Sequence, residues 1–354
     1  MMALVTRYKL KKPGIIKIII LIVLLAVGLV GMNIYRWFFK PNVFLKGQSF
    51  EYLYIPSGAV FEDVLQLLTY QGWLQNETSF AAVARMVDYD KFVKAGRYKI
   101  LDGIDNFQLV TMLRSGNQSP VQFTFNNIRT LSQLAGIVSH KIEADSTDVA
   151  AVFAHDSLIN SFGFEPETLP ALFIPNTYEF FWNTSALQWI NRMHKEYERF
   201  WNDKRLHKAD SIGLSPVEVS VLASIVDEET IKRDEKAVVA GLYLNRLRIR
   251  MALQADPTVK YALGDFSIRR ILKKDLNIDS PYNTYRYAGL PPGPIRIASV
   301  DGIDAVLNAQ PHKYLYMCAK DDFSGYHNFA VTLQQHQQNA AKYQRALRRA
   351  QIFR

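Results

Sequence analysis

Apolar positions along the chain change their spacing several times, and each change predicts an element. From Ile18 to Met32 (IIILIVLLAVGLVGM) no side chain is polar. Counted from Ile15 to Ile34 the run is 20 residues, enough helix to cross a bilayer, with Lys17 able to reach outward from its end. Phe50–Ile55 then alternates as a strand does, and Pro56-Ser57-Gly58 makes a turn. Val60, Phe61, Val64, Leu65 and Leu68 recur at helical spacing. The same pattern predicts helices over 80–86, 106–113 and 130–138, and strands over 95–100 and 120–128.

From about Asp148 the pattern turns helical. Leu172 to Trp182 is aromatic and irregular, and Ser185 caps the long amphipathic helix that follows. Ser215 as N-cap, Pro216 at the first helical position and Glu218 two residues on form a strong helix start with a capping box. Another helix is expected over 234–248. A turn-rich stretch follows, and a final helix runs from Leu333 to about Ala350. The expected fold class is α+β: one N-terminal transmembrane helix, a small α+β domain, then a mainly helical domain with a loop-rich groove. The expected boundaries are 1–14 for a cytoplasmic N-terminus, 15–36 for the anchor, 37–47 for a linker, 48–145 for the small domain and 146–354 for the large one. Within the small domain, the strand–helix–helix–strand unit over Phe50–Ile100 resembles the small peptidoglycan-binding module LysM. A generic packing domain fits the same residues.

Composition and charge narrow the possibilities. The 354 residues are 49% hydrophobic, enough for one large or two medium cores. Five of the nine net positive charges lie in the first 17 residues, as Arg7, Lys9, Lys11, Lys12 and Lys17. The body is therefore only mildly basic, and a nucleic-acid stripe is not indicated. Basic residues ahead of the apolar run place the N-terminus in the cytoplasm and the rest outside. A cleavable signal peptide is the rival reading, but Tyr35, Arg36, Trp37, Phe38 and Phe39 suit a membrane-interface belt better than a cleavage site. Cys318 is the only cysteine, so an internal disulfide or a multi-cysteine zinc site is excluded. The histidines form no HExxH pattern and no GxSxG elbow occurs, so neither a metal nor an organic cofactor is expected.

The candidate chemistry sits at LASIVDEET, Leu222–Thr230. At about 100° per residue, Leu222, Ile225 and Val226 make an apolar stripe with Glu229 in its middle, while Asp227 and Glu228 project elsewhere. Asp227 and Glu228 are expected at a solvated helix end. Glu229 is expected to be poorly solvated, near two anions and the negative end of the helix dipole, all of which raise a carboxyl pKa. A carboxylic acid still protonated near neutral pH suits glycosidic cleavage, where the leaving oxygen must receive a proton. The alternative is an ordinary ion pair with Lys232, Arg233 or a more distant cation. Elsewhere NTYEFFW and SPYNTYRYAGLPPGP mix amides, hydroxyls and rings as sugar-binding grooves do, with Asn176, Thr177, Tyr178, Asn283, Thr284 and Tyr285 as candidates. Gln254 and Asp256, in a turn before Pro257, are placed to cap a helix or orient the acid. His327 is expected in a loop and His336 on a helix.

LASIVDEET, NRLRIRMALQADPTVKYALG, SPYNTYRYAGLPPGPI and HNFAVTLQQH, in this order, resemble the YceG-like family of membrane-anchored endolytic murein transglycosylases, known as MltG. The resemblance is densest from Leu222 to His336. It implies a bacterial inner-membrane enzyme that cuts nascent peptidoglycan strands internally at the MurNAc-β-1,4-GlcNAc bond, leaving 1,6-anhydro ends. It maps the family's catalytic glutamate, just before a threonine, onto Glu229. Asp227 departs from the family's usual glutamate, which puts a catalytic role for Asp227 in doubt. The motifs add Asn245, Gln254, Asp256, Thr258, Leu290, Pro291, His327 and Asn328 to the expected substrate-binding set. Implied partners are glycan strands, the bilayer through one helix, and peptidoglycan synthases. A hydrolytic muramidase using Asp256 or Glu228 as second carboxylate, and a non-catalytic wall-binding scaffold, are the alternatives.

Overall fold

The structure, a computed structural model, describes residues 14–352 except Arg269. The proposed cytoplasmic segment 1–14 thus lies outside the described residues but for Gly14. The chain packs as two compact units: one runs to Pro120 and takes in Phe181–Asn183, and the other is Val121–Phe180 with Thr184 onward. Both combine short strands with helices, and helices dominate. The six described strands pair as three two-stranded antiparallel sheets.

In the first unit, α1 (Ile15–Phe39) is 25 residues, about 37 Å at 1.5 Å per residue. It is the one described helix long and apolar enough by itself to cross a membrane; its large apolar side chains from Ile16 to Tyr35 are exposed, while Trp37 and Phe38 pack on the core of this unit. β1 (Phe50–Ile55), α2 (Phe61–Tyr70), α3 (Glu77–Met86) and β2 (Gly96–Leu101) follow, with β1 and β2 paired from Phe50↔Leu101 to Ile55↔Gly96. Leu53, Ile55, Tyr98 and Ile100 point inward onto Phe61, Val64, Leu68, Phe80 and Val83. α3 starts three residues before the apolar spacing indicates, because Asn76 caps it, accepting from the Ser79 amide at 2.8 Å. α4 (Asn106–Ser115), capped by Asp105 and closed by left-handed Gly116, completes the core. Residues 37–47, expected as a linker, are instead built into this unit. Val43 and Leu45 are buried, and Asn42 exchanges bonds with Asn76 and Asn106.

In the second unit, β3 (Val121–Thr124) comes first, then α5 (Leu131–Ser139), α6 (Ser146–Phe153) and α7 (Asp156–Ser161). β4 (Thr177–Phe180) pairs with β3. The expected strand 120–128 is thus shorter, and the aromatic stretch read as irregular contains its partner. That pairing carries residues 121–145 into the second unit, whereas the sequence pattern put the division at 145/146. α8 (Ala186–Phe200) and α9 (Asp203–Ser211) lead to α10 (Pro216–Glu229), which starts on the expected Ser215–Glu218 capping box. α10 is buried continuously from Val219 to Asp227, so its apolar surface is a whole circumference rather than one stripe. α11 (Arg233–Arg248), α12 (Asp256–Leu263) and α13 (Val300–Leu307) pack against it. β5 (Tyr316–Ala319), β6 (His327–Ala330) and α14 (Leu333–Arg349) close the chain, so His327 lies on a strand and not in a loop.

Candidate active site

Three acids end α10, and each meets a different environment. Asp227 is buried and accepts from Lys236 Nζ at 2.5 Å, Ser299 N at 2.7 Å and Ser299 Oγ at 2.8 Å. Gly302 is required beside it, since a Cβ there would lie 2.6 Å from Asp227 Oδ1. Glu228 bridges two guanidiniums, Arg129 at 2.6 Å and Arg296 at 2.7 Å. The expectation of a solvated end for these two acids is therefore corrected. α10 is central, so its last turn stays inside the unit, and each charge has to be met by a cation there.

Glu229 has no such cation bonded to it. Lys232 stacks on the Tyr326 ring and Arg233 pairs with Asp301, so the ion pairs considered from sequence do not form. Oε2 is buried without a hydrogen-bond partner. Burial pushes the carboxyl up from 4.5 to about 7, and the Asp256 charge adds to the rise. A hydrogen bond from Tyr243 and the positive charge of Arg246 oppose it. The raising anion is thus Asp256 rather than Asp227 or Glu228, whose charges are matched by their own cations.

The neighbours are held by identifiable contacts. Tyr243 and Arg246 lie three residues apart on α11 and so share a face. The Arg246 guanidinium is fixed by backbone carbonyls, Leu253 at 2.5 Å and Leu315 at 2.6 Å. Asp256 is the first residue of α12 rather than part of a preceding turn, and it accepts from the Tyr285 hydroxyl at 2.6 Å. Burial first, then this bond, pushes the Tyr285 hydroxyl well up from its ordinary value. Gln254, exposed, holds a left-handed φ of 50°, an uncommon conformation for a non-glycine residue. Its turn is stapled by Gln254 N to Thr284 O at 3.0 Å and Ala255 N to Thr284 Oγ1 at 3.0 Å.

The other expected groove residues fall into three groups. Thr258 and Thr284 are buried and share a hydroxyl bond of 2.8 Å, and buried Asn283 donates to the Leu276 and Ile278 carbonyls. Pro291 is buried, and Leu290 packs on the core. Thr258, Asn283 and Thr284 form the hydrogen-bonded frame next to Gln254, Asp256 and Tyr285. Asn245 donates to the His312 and Tyr314 carbonyls, and His327 pairs with Glu235 at 2.8 Å, while Asn328 faces Cys318 across β5–β6. Asn176, Thr177 and Tyr178 belong to the β3–β4 pair. Thr177 bonds Thr124, and the Tyr178 hydroxyl bonds the Ile174 carbonyl. No described hydrogen bond ties either of these last sets to Glu229. The residues that sequence reasoning missed beside Glu229 are Tyr243 and Arg246. A signal was available, as a hydroxyl one turn before an arginine, closing an otherwise apolar stretch of α11.

Residues 53–342 match the YceG-like family. The chain is 29% identical over 309 residues to the endolytic murein transglycosylase of Bacillus subtilis (strain 168), covering 82% of this chain and 83% of that protein. It is 26% identical over 368 residues to the endolytic murein transglycosylase of Streptococcus pneumoniae (strain D39), covering 94% of this chain and 65% of that protein's length. The crystal structure of a yceG-like protein from Listeria monocytogenes superposes with a TM-score of 0.55 at 27% identity, over 82% of this chain and 98% of that one. The match begins within β1 and ends within α14, taking in α10 with Glu229 and the Asp256–Tyr285 pair, and the chain belongs to the YceG-like family.

Proposed function

We propose that this protein is an endolytic murein transglycosylase, held at the bacterial inner membrane by α1 with its folded units outside. It cleaves the MurNAc-β-1,4-GlcNAc bond of nascent glycan strands and leaves 1,6-anhydroMurNAc ends. The observation that carries the reading is the buried, unpaired Oε2 of Glu229, whose carboxyl ionises near pH 7. Such a group is a competent proton donor at neutral pH.

Glu229 donates its proton to the bridging oxygen as the glycosidic bond breaks, and positive charge grows at MurNAc C1. The carboxylate so formed is met by the Tyr243 hydrogen bond and the Arg246 charge. It then takes the proton from the sugar's own C6 hydroxyl, whose oxygen attacks C1 to close the 1,6-anhydro ring. Glu229 ends protonated, ready for the next cycle. Water is not consumed, so no second carboxylate has to hold a water or a covalent intermediate. The intramolecular attack gains from proximity. Asp256 and Tyr285 act as a hydrogen-bonded pair beside this centre, with Gln254 exposed next to them for contact with the sugar.

The β1–α2–α3–β2 order supports the LysM-like reading of the first unit as a glycan-holding module. The basic N-terminal residues support a cytoplasmic N-terminus. Glycan synthases at the same membrane are the proposed protein neighbours.

The test is product analysis on purified glycan strands with wild type and Glu229→Gln side by side. Wild type is expected to release anhydro-ended fragments, and the variant to lose about 10²–10⁴-fold in rate. Reducing MurNAc ends would instead favour a hydrolase using Asp256, and no cleavage by wild type would favour a scaffold.

A further inference from the structure

The apolar run of α1 stops at Asn33, and at that level the first unit holds a polar cavity of about 360 Å³. Arg36 and Lys40, from the last turn of α1 and its cap, line one side. Among the described residues neither has a carboxylate partner, and the cavity lining contains no acid. Gln75, the N-cap Asn76 and Ser79 in the first turn of α3 also line it. Asn76 Oδ1 is occupied by the Ser79 amide, which leaves the Nδ2 hydrogens as donors. The positive end of the α3 dipole adds to the two cations, and Glu77 in that turn does not line the cavity.

We propose that this cavity binds the phosphate of an anionic phospholipid headgroup from the leaflet that α1 leaves. The chemistry is that of a phosphate: two unpaired cations and amide donors converge with no competing anion. The depth selects a lipid over a free ion. The cavity begins where the exposed apolar surface of α1 ends, which is headgroup level for a spanning helix. An aromatic cluster marks the same level, with Phe107 of α4 lying 5.9 Å from Phe38 and 5.7 Å from Phe39, and Tyr35 5.1 Å from Phe39. Phe39 and Phe107 remain largely exposed, as rings at a membrane interface are.

The inference rests on α1 spanning the membrane, and the experiment separates the two. Full-length protein purified from membranes is titrated in detergent with phosphatidylglycerol or phosphatidylcholine and followed by native mass spectrometry. One phosphatidylglycerol should be retained in preference to phosphatidylcholine. The double variant Arg36→Gln/Lys40→Gln should lose about 30-fold in affinity, about fivefold per basic side chain at a membrane surface. The exposed pair Arg114→Gln/Lys141→Gln, with the same change in net charge, should bind like wild type. Equal retention of both lipids, unchanged binding in the first variant or an equal loss in the second overturns the site. Displacement of the lipid by millimolar inorganic phosphate overturns the choice of a lipid. Failure of the wild-type chain to co-fractionate with membranes overturns the anchor itself.

Discussion

A carboxyl on the last turn of a buried helix can be neutralised by a cation or left to hold its proton, and α10 does both within three residues. Asp227 and Glu228 take the first course and Glu229 the second. Two opposite substitutions test the electrostatics of Glu229. Asp256→Asn removes the anion that raises its pKa, so the alkaline limb of the pH–rate profile should move to lower pH. Tyr243→Phe removes a bond that favours the carboxylate, so the same limb should move to higher pH. Shifts in the same direction, or none, would contradict the assignment. The linkage to stability has a definite sign. A carboxyl raised from 4.5 to about 7 binds more protons folded than unfolded between those values, so stability falls as pH rises through that window. Above pH 7 the full cost is about 3 kcal/mol. Glu229→Gln should therefore be more stable than wild type at pH 8 by up to about 3 kcal/mol, with the difference fading toward pH 4.5, as read by urea unfolding.

At the scale of elements, the capping chemistry of α10 was legible because Ser215, Pro216 and Glu218 act on their own backbone. The strand β4 was not, because Tyr178 and Phe180 alternate only in relation to β3, more than fifty residues earlier. The same distinction separates Glu229 from its surroundings. Its place on the helix follows from spacing, while the cations on Asp227 and Glu228 come from residues such as Arg129, Lys236 and Arg296 on other segments. The Asp227–Lys236 pair joins α10 to α11, and its Ser299 bonds reach the cap of α13. Asp227→Ala leaves a buried ammonium without its counter-ion and should cost about 3–5 kcal/mol in unfolding free energy. Adding Lys236→Met to Asp227→Ala should recover much of that loss, since an apolar pair of similar volume is tolerated far better than a lone charge. Denaturant midpoints of the single and double variants measure both effects, and a double variant no better than the single would contradict them.

For the molecule as a whole, the unanticipated feature is how α1 joins the first unit. Residues 37–47 are expected from the sequence as a linker, yet four amide hydrogen bonds, one of them buried, make them part of the fold. Asn106 Nδ2 donates to the Trp37 carbonyl at 2.9 Å, and its Oδ1 accepts from Asn42 at 2.8 Å. Asn42 in turn bonds the backbone of Asn76 at both N–H and C=O. The end of α1, the cap of α3 and the start of α4 are thereby held through two side chains, a linkage that hydrophobic periodicity does not encode. Asn106→Ala should leave the Trp37 carbonyl and one of the two Asn42 amide hydrogens without a partner, at about 1–3 kcal/mol, while the Asn42 bonds to Asn76 remain. The loss falls on the local opening of 40–47 rather than on the second unit, because only the first unit shares these bonds. When opening and closing are fast compared with cleavage, proteolysis follows the open population. Trypsin cutting after Lys46 in membrane-reconstituted protein should then speed up roughly 5- to 150-fold in Asn106→Ala. Glycan cleavage by the intact variant should be retained, since no residue of the Glu229 cluster changes. Unaltered cutting at Lys46 would mean that the segment behaves as the tether its sequence suggests.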